Sequence, residues 1–317
     1  MANSVFYIIV QILVMVLLSP LIKGIIGKIK ALSQKRQGPP LLQMYYDLYK
    51  LMKKDTVVSD TASWIFRITP YLTFTATLTA SLFIPVTIYL APLSFFGDII
   101  MVIYLLALSR FFMTLAGLDT GSTFGGMGSS REMMISSLLE PALLVAVITV
   151  GLITGSGSVH GMMQAAAADS ITVFQPSYLL TFMAIFIILI GEACRTPVDD
   201  PSTHLELTMV HEAMLLEYSG RYLALMELGA AVKELIFITL LANLYIPLEG
   251  LIEIASPALA LAVSLVFYLL KVLVITVFIG LAEVFTVKLR LFSLPNLGAL
   301  SFTLAFLGFV QHFMLGR

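Results

Sequence analysis

The stretch Ala258–Leu281, "ALALAVSLVFYLLKVLVITVFIGL", decides the fold class. Its only charge is Lys271. At about 1.5 Å of rise per residue, an apolar run of this length crosses a hydrocarbon layer about 30 Å thick. In that layer each backbone N–H and C=O must find its partner within the segment, so the run is read as a spanning helix. Seven further stretches share the pattern: Val5–Ile26, Ile65–Leu90, Ile99–Leu118, Met133–Ile153, Tyr178–Ile190, Tyr222–Tyr245 and Leu297–Leu315. Across the 317 residues, 59% are hydrophobic and 12% charged, and mean hydropathy is +0.99. These values describe an integral membrane protein. The expected fold is all-α, with about eight transmembrane helices in one polytopic domain over residues 1–317. The first run lacks a basic leader and a small-residue cleavage pattern before Lys23, so it is expected to stay as a span.

Basic residues alternate along the chain. Lys23, Lys28, Lys30, Lys35, Arg36, Lys50, Lys53, Lys54 and Arg67 flank the first connection, Arg131 the third, Arg195 and Arg221 the fifth, and Lys288 and Arg290 the seventh. The even connections, at 91–97, 155–176 and 247–257, hold no Lys or Arg. Positive charge favours the cytoplasmic side, which predicts a cell-membrane protein with basic loops inside and both termini outside. After the "GPP" break at Gly38–Pro40, residues 41–54 space Leu41, Tyr45, Leu48 and Met52 at helical intervals, with Gln43, Asp47, Lys50 and Lys54 on other faces. This predicts a cytoplasmic interfacial amphipathic helix, either a lipid anchor or a ledge for a partner.

Carboxylates are scarce, yet six of the 19 acidic residues fall in Gly191–Gly220, "GEACRTPVDDPSTHLELTMVHEAMLLEYSG". The stretch is predicted to form an acidic cytoplasmic loop at the mouth of the fifth and sixth helices. Charges are also expected inside spans: Glu140 in the fourth, Glu227, Lys233 and Glu234 in the sixth, Lys271 and Glu283 in the seventh. Each costs roughly 2.5–3.5 kcal/mol to insert, so they should face protein or water. Either ion pairs tie the helices together or buried acids and a lysine relay protons.

Several soluble-enzyme chemistries are excluded. The single cysteine, Cys194, rules out an internal disulfide and a multi-cysteine metal cage. It is read as a small residue at a helix end, with a reactive thiol beside Arg195 as the alternative. "HEAML" at His211–Leu215 lacks the second histidine of a zinc-protease pair, and "GGMGSS" at Gly125–Ser130, placed between two membrane helices, has no following lysine to make a phosphate loop. His204 and His211 would share a face if one helix ran through both, a weak metal signal without thiolates.

Three separated motifs carry a family resemblance. "GEACRTPVDDP" resembles the pattern AExxRxPFDxP at Glu192, Arg195, Pro197, Asp199 and Pro201, and "EYSG" at Glu217–Gly220 matches as written. "RQGPPLLQMYYDLYKLMKKD" is similar to RxGPNxLQPxxDxxKLxxKE at Arg36, Gly38, Pro39, Leu42, Gln43, Asp47, Lys50, Leu51 and Lys54. Arg131 and Glu140 resemble an arginine and a glutamate of the same family. These motifs belong to the membrane subunit shared by respiratory complex I (its subunit 1) and by group 4 membrane-bound nickel-iron hydrogenases and formate hydrogenlyases. "LDTGSTFGGMGSSREM" at Leu118–Met133 resembles the hydrogenase branch. Pro40, Met44 and Val198 depart from the usual Asn, Pro and Phe, and Glu206 and Glu217 stand farther apart than in the quinone-reducing pattern.

The resemblance implies a non-catalytic membrane foot that anchors a cytoplasmic electron-transfer arm and couples it to H⁺ or Na⁺ movement. Implied partners are a nickel-iron large subunit, an iron-sulfur small subunit and antiporter-like membrane subunits, in a bilayer and without nucleic acid. The nickel-iron centre and iron-sulfur clusters would belong to those partners, and this chain would bind no metal or other cofactor. Expected coupling residues are Glu140, Glu192, Arg195, Asp199, Glu206, Glu212, Glu217, Glu227 and Lys233, with Arg195 stabilising the charged forms of the acids around it. Expected docking residues are Arg36, Gly38, Pro39, Gln43, Asp47, Lys50, Lys54 and Arg131. Two alternatives are a quinone-binding subunit of a complex I-type oxidoreductase and a stand-alone secondary transporter, although no internal repeat supports the latter.

Overall fold

The computed structural model describes residues 2–89, 91–168, 175–199, 209–248 and 257–315. The described elements are helical: α1 (Ala2–Ser33), α2 (Gln43–Lys53), α3 (Trp64–Phe83), α4 (Asp98–Asp119), α5 (Thr123–Thr154), α6 (Val159–Ala168), α7 (Pro176–Glu192), α8 (His211–Leu215), α9 (Gly220–Tyr245), α10 (Pro257–Phe285) and α11 (Leu294–Leu315), with a 3-10 turn at Leu291–Ser293 before α11. This is an all-α membrane protein. Helices stand at each of the eight apolar stretches, and five are long and apolar enough to cross a membrane, with α7 apolar but shorter. Helices α3 and α9 fall outside that set. Helix α3 is less apolar, with Arg67 and five threonines, and α9 carries Arg221, Glu227, Lys233 and Glu234.

Helix α9 forms the centre. From Ala231 to Tyr245 every residue but Lys233 is buried, the pattern of a helix packed on all sides. It packs against α1, α3, α7 and α10, while α11 lies on α5 and α7 and leaves Phe302, Phe306 and Phe313 exposed. At the α9 C-terminal end, buried polar side chains satisfy irregular backbone. Gln11 Nε2 donates to the carbonyls of Ser81 and Ile84 (both 2.6 Å), and Asn243 Nδ2 donates to those of Pro85 and Val86 (2.8 and 3.1 Å). Lys271, fully buried, donates to Asn243 Oδ1 at 3.0 Å, which gives one of its hydrogen bonds a place inside the protein.

At the other end, "EYSG" acts as a clasp. Pro70 has no N–H to give the Phe66 carbonyl one turn back, and the Tyr218 hydroxyl donates there instead at 3.1 Å. The two rings stack at 3.9 Å. Ser219 Oγ accepts from Val57 N (2.8 Å) and donates to Val57 O (2.9 Å). Gly220 has φ +53, and a Cβ there would stand 2.5 Å from the Asp55 carbonyl oxygen, so the position requires glycine.

Three expectations change. In α2, Met44, Leu48 and Leu51 line an open cleft together with Gln43 and Asp47; of the stripe read from spacing, Tyr45 and Leu48 turn toward the protein, with the Tyr45 hydroxyl donating to the Leu17 carbonyl, whereas Leu41 and Met52 are exposed. Gly125–Ser130 is the first part of α5, capped by Ser122 Oγ accepting from Gly125 N at 3.1 Å, and not a loop between helices. Met209 and Val210 are non-helical before α8 opens at His211, so no single helix carries His204 and His211. His204 itself lies outside the described residues.

Candidate functional site: a charged cavity at one end of the bundle

Three carboxylates meet one buried guanidinium. Arg110, on α4, is the only charge in the apolar run Ile99–Leu118. It donates Nη1 to Glu140 Oε1 and Nη2 to Glu192 Oε2, and its Nε stands 3.5 Å from Glu132 Oε1. Glu132 and Glu140 lie two turns apart on α5, and Glu192 closes α7. A planar fork with donors on several edges can bridge acids from two helices in this way. Lys233, on α9, places Nζ 2.8 Å from the same Glu192 oxygen. Glu192 is thereby held between two cations.

A second cluster surrounds Arg195, just past α7. Its Nε and Nη2 donate to Glu234 Oε1 and Oε2 (3.2 and 3.0 Å), a bidentate pair, and Nη1 donates to Glu283 Oε1 at 3.1 Å. Lys30 Nζ lies 3.9 Å from Glu283. Burial works against the arginine's charge, but Glu234 and Glu283 outweigh it and hold the guanidinium protonated beyond the ordinary arginine range. Asp199 takes a third arrangement. Its Oδ1 accepts from Lys288 Nζ at 2.9 Å, while Oδ2 accepts from the Val210 and His211 N–H groups (2.9 and 3.2 Å) at the start of α8. Arg131 Nη1 donates to the Met209 carbonyl at 2.9 Å, so the return of the chain at Met209–His211 is fixed from both sides.

These groups enclose a cavity of about 260 Å³ lined by Lys23, Glu192, Cys194, Arg195, Asp199, His211, Glu212, Glu227, Lys233 and Glu234, with Ala193 and Ala230. A smaller space of about 30 Å³, between Arg110, Glu132, His211 and Lys233, continues inward and is large enough for one water. On the opposite side, Lys23 and Glu227 form an ion pair at 3.2 Å. Both residues also line a neighbouring cavity of about 350 Å³ between α1, α2 and α9, whose wall includes Gly24, Met44, Leu48, Leu51 and Leu223. Glu212 is the exception among the lining acids, with no ion pair within 4 Å among the described residues. Burial, reinforced by the charge of Glu227, raises its carboxyl above the usual range. Burial also pushes the Cys194 thiol well up, as does Glu132, whose Oε2 is 3.9 Å from Sγ. A protonated thiol is a poor nucleophile, which removes the reading of Cys194 as a reactive group activated by Arg195.

Of the coupling residues expected from sequence, Glu192, Arg195, Asp199, Glu212, Glu227 and Lys233 line the cavity, and Glu140 pairs with Arg110, which lines the smaller adjoining space. Glu217 is exposed, away from the wall, and Glu206 lies outside the described residues. Contrary to expectation, Arg195 pairs with neither Glu192 nor Asp199; those acids pair with Arg110, Lys233 and Lys288, and Arg195 serves Glu234 and Glu283. Gly38 has φ +64, and a Cβ there would meet the Ala31 side chain at 2.4 Å. Arg36, Pro39, Lys50 and Lys54 are exposed, whereas Gln43 and Asp47 bond each other at 3.0 Å. Arg110 was legible as a lone cation in an apolar helix but carried no motif. Among the described residues no group of three or more histidine, cysteine and carboxylate side chains is arranged to hold a metal ion.

A family model described as NADH dehydrogenase matches residues 5–312. The chain is 34% identical to hydrogenase-4 component C of Escherichia coli K12 over 311 residues, covering 96% of this chain and 95% of the relative. It is also 34% identical to formate hydrogenlyase subunit 4 of the same organism, covering 97% and 98%. NADH-ubiquinone oxidoreductase chain 1 of Dictyostelium citrinum is 27% identical over 226 residues, or 69% of this chain and 68% of that one. In fold, the chain is similar to a chain from the membrane-bound sulfane sulfur reductase, an archaeal respiratory membrane complex, with a TM-score of 0.85 at 20% identity, covering 98% and 99%.

Proposed function

Because the chain belongs to the NADH dehydrogenase family, we propose that it is the membrane-anchoring and ion-coupling subunit of an energy-converting nickel-iron hydrogenase or formate hydrogenlyase complex. The observation that carries this reading is similarity over nearly the full length of two subunits named for those complexes, against about two thirds of the NADH-ubiquinone chain. On this reading residues 1–317 form one unit crossing the membrane through α1, α3, α4, α5, α7, α9, α10 and α11. The basic end faces the cytoplasm and both termini face outward. The nickel-iron large subunit and iron-sulfur small subunit dock on that end over Arg36, Gly38, Pro39, Lys50, Lys54 and the exposed Glu217, and antiporter-like subunits pack alongside. Arg131 supports the docking surface by fixing Met209. Hydrogen chemistry and its metal centres belong to the arm.

The chain's own part is electrostatic. A unit charge arriving about 15 Å away at an effective dielectric of about 20 is worth about 1.1 kcal/mol, roughly a sixfold change in proton affinity. Glu212, half-buried and without an ion pair among the described residues, is the cavity group most open to such a change. From there Glu227 and Lys233, and beyond Lys233 the Glu192–Arg110–Glu140 bridge, form a path of charged groups inward. The test is Glu192→Gln and, separately, Glu212→Gln in the assembled complex, measuring ions moved per hydrogen formed. The expected result is a lower ratio with the arm still bound. An unchanged ratio in both variants refutes the coupling role, and loss of the arm shows that these residues only dock it.

One observation favours a second reading. The larger, mostly apolar cavity beside α2 adjoins the charged one at Lys23 and Glu227, an arrangement that suits an amphiphile with a polar head and a long tail, such as a quinone. Quinone-site inhibitors that stop turnover would select it; insensitivity would select the hydrogenase reading.

A further inference from the structure

A second charged recess opens at the same end of the bundle, outside the cavity just described. Its volume is about 300 Å³, and its wall includes Arg131 from α5 together with Lys288 and Arg290 from the α10–α11 connection, set among Val198, Val210 and Leu294. Among the described residues no carboxylate lines it. Asp199 reaches Lys288 from behind, but Arg131 spends a donor on a neutral carbonyl, and neither Arg131 nor Arg290 has a carboxylate within 4 Å among the described residues. Among the described residues the recess therefore carries an excess of positive charge. Its other surroundings are apolar and outward-facing. Phe285, which ends the candidate span Leu259–Phe285, and Val287, on the connection, are each 83% exposed, and Phe292, at the start of the candidate span Leu291–Met314, is 92% exposed.

We propose that this recess holds the headgroup of an anionic phospholipid, its acyl chains running along the apolar surface at Phe285, Val287 and Phe292. Cations at the end of spanning helices attract anionic headgroups, and basic pockets between such helices bind them. An acidic protein segment would satisfy the charge but would bring polar backbone against the exposed aromatics and aliphatics, whereas a lipid matches both halves. The site is independent of which redox partner the chain serves.

The experiment is native mass spectrometry of the solubilised complex after incubation with equal amounts of phosphatidylglycerol and phosphatidylcholine. Phosphatidylglycerol should be retained preferentially. Loss of one cation near the headgroup should weaken retention about fivefold in Arg290→Gln, and further in Arg131→Gln/Arg290→Gln, while Lys35→Gln, an exposed cation elsewhere, should leave it unchanged. Arg290 is exposed and outside the coupling cluster, so the single variant stands as a test even if removing Arg131 disturbs Met209. Equal retention of the two lipids, or an Arg290→Gln complex that holds phosphatidylglycerol as the parent does, overturns the proposal. So does displacement of the lipid by millimolar inorganic phosphate, which would mark a simple anion site, or a cross-link from position 290 to a neighbouring subunit with no lipid bound.

Discussion

Removing Arg110 should damage the protein in a way that a second substitution repairs. In Arg110→Met the guanidinium shared by Glu132, Glu140 and Glu192 disappears. Glu192 keeps Lys233 at 2.8 Å, and the Glu140 side chain, 35% exposed, can be solvated. Glu132, only 8% exposed and without another cation within 4 Å among the described residues, is left as an uncompensated buried charge. Such a charge costs about 3–5 kcal/mol. At about 2 °C per kcal/mol for a chain of this size, thermal loss of the folded complex should come about 6–10 °C earlier. Fluorescence-detected size-exclusion chromatography of heated, solubilised complex measures this midpoint. In Arg110→Met/Glu132→Gln the orphaned charge is gone, and more than half of the deficit should return. Glu140→Gln alone, at a more exposed pair, should cost less than about 1 kcal/mol. The reasoning is refuted if Arg110→Met melts with the parent, or if adding Glu132→Gln deepens the loss.

Other outcomes follow from the same geometry. The raised Glu212 carboxyl favours its neutral form in the folded state, so its contribution to stability is full below the unfolded carboxyl range and is lost as pH rises through the folded value. Glu212→Gln should therefore raise the melting midpoint near neutral pH and bring little gain in acid, a comparison made by melting both proteins across pH. Cys194, with its thiol pushed well up, should resist iodoacetamide in the folded protein at pH 8 and label at an ordinary rate once denatured, as followed by mass shift. Gly220→Ala must hold an alanine at φ +53 with its Cβ against the Asp55 carbonyl, and should cost more than about 1 kcal/mol in a thermal or denaturant series.

The apolar runs needed only length and composition to be read, and helices stand at all eight. The charged cavity was legible in its membership but not in its pairing. Motif spacing singled out Glu192, Arg195 and Asp199 and grouped them as neighbours in sequence, yet each pairs across helices: with Arg110 and Lys233, with Glu234 and Glu283, and with Lys288. Pairing is set by how α4, α5, α7, α9 and α10 rotate against one another, and a single chain's periodicity does not contain that rotation. The same limit explains α2. Helical spacing found the element, but which stripe turns inward depends on where α1 and α9 stand. Glu217, the acid of the clearest short motif, is exposed because its neighbours do the structural job: Tyr218, Ser219 and Gly220 close the clasp and leave the glutamate outside.

The Lys23–Glu227 pair, set between the charged cavity and the apolar one, also bears on timing. Each side chain is 28% exposed, so water can replace either partner as the pair separates. Even if a full 5 kcal/mol, about the cost of breaking a buried pair, stood as a barrier, separation would still recur about a billion times per second. Typical enzyme turnovers last about a millisecond to a second. The contact itself is therefore at equilibrium on the time scale of such a turnover, and its opening and closing cannot be the slow event in this part of the molecule.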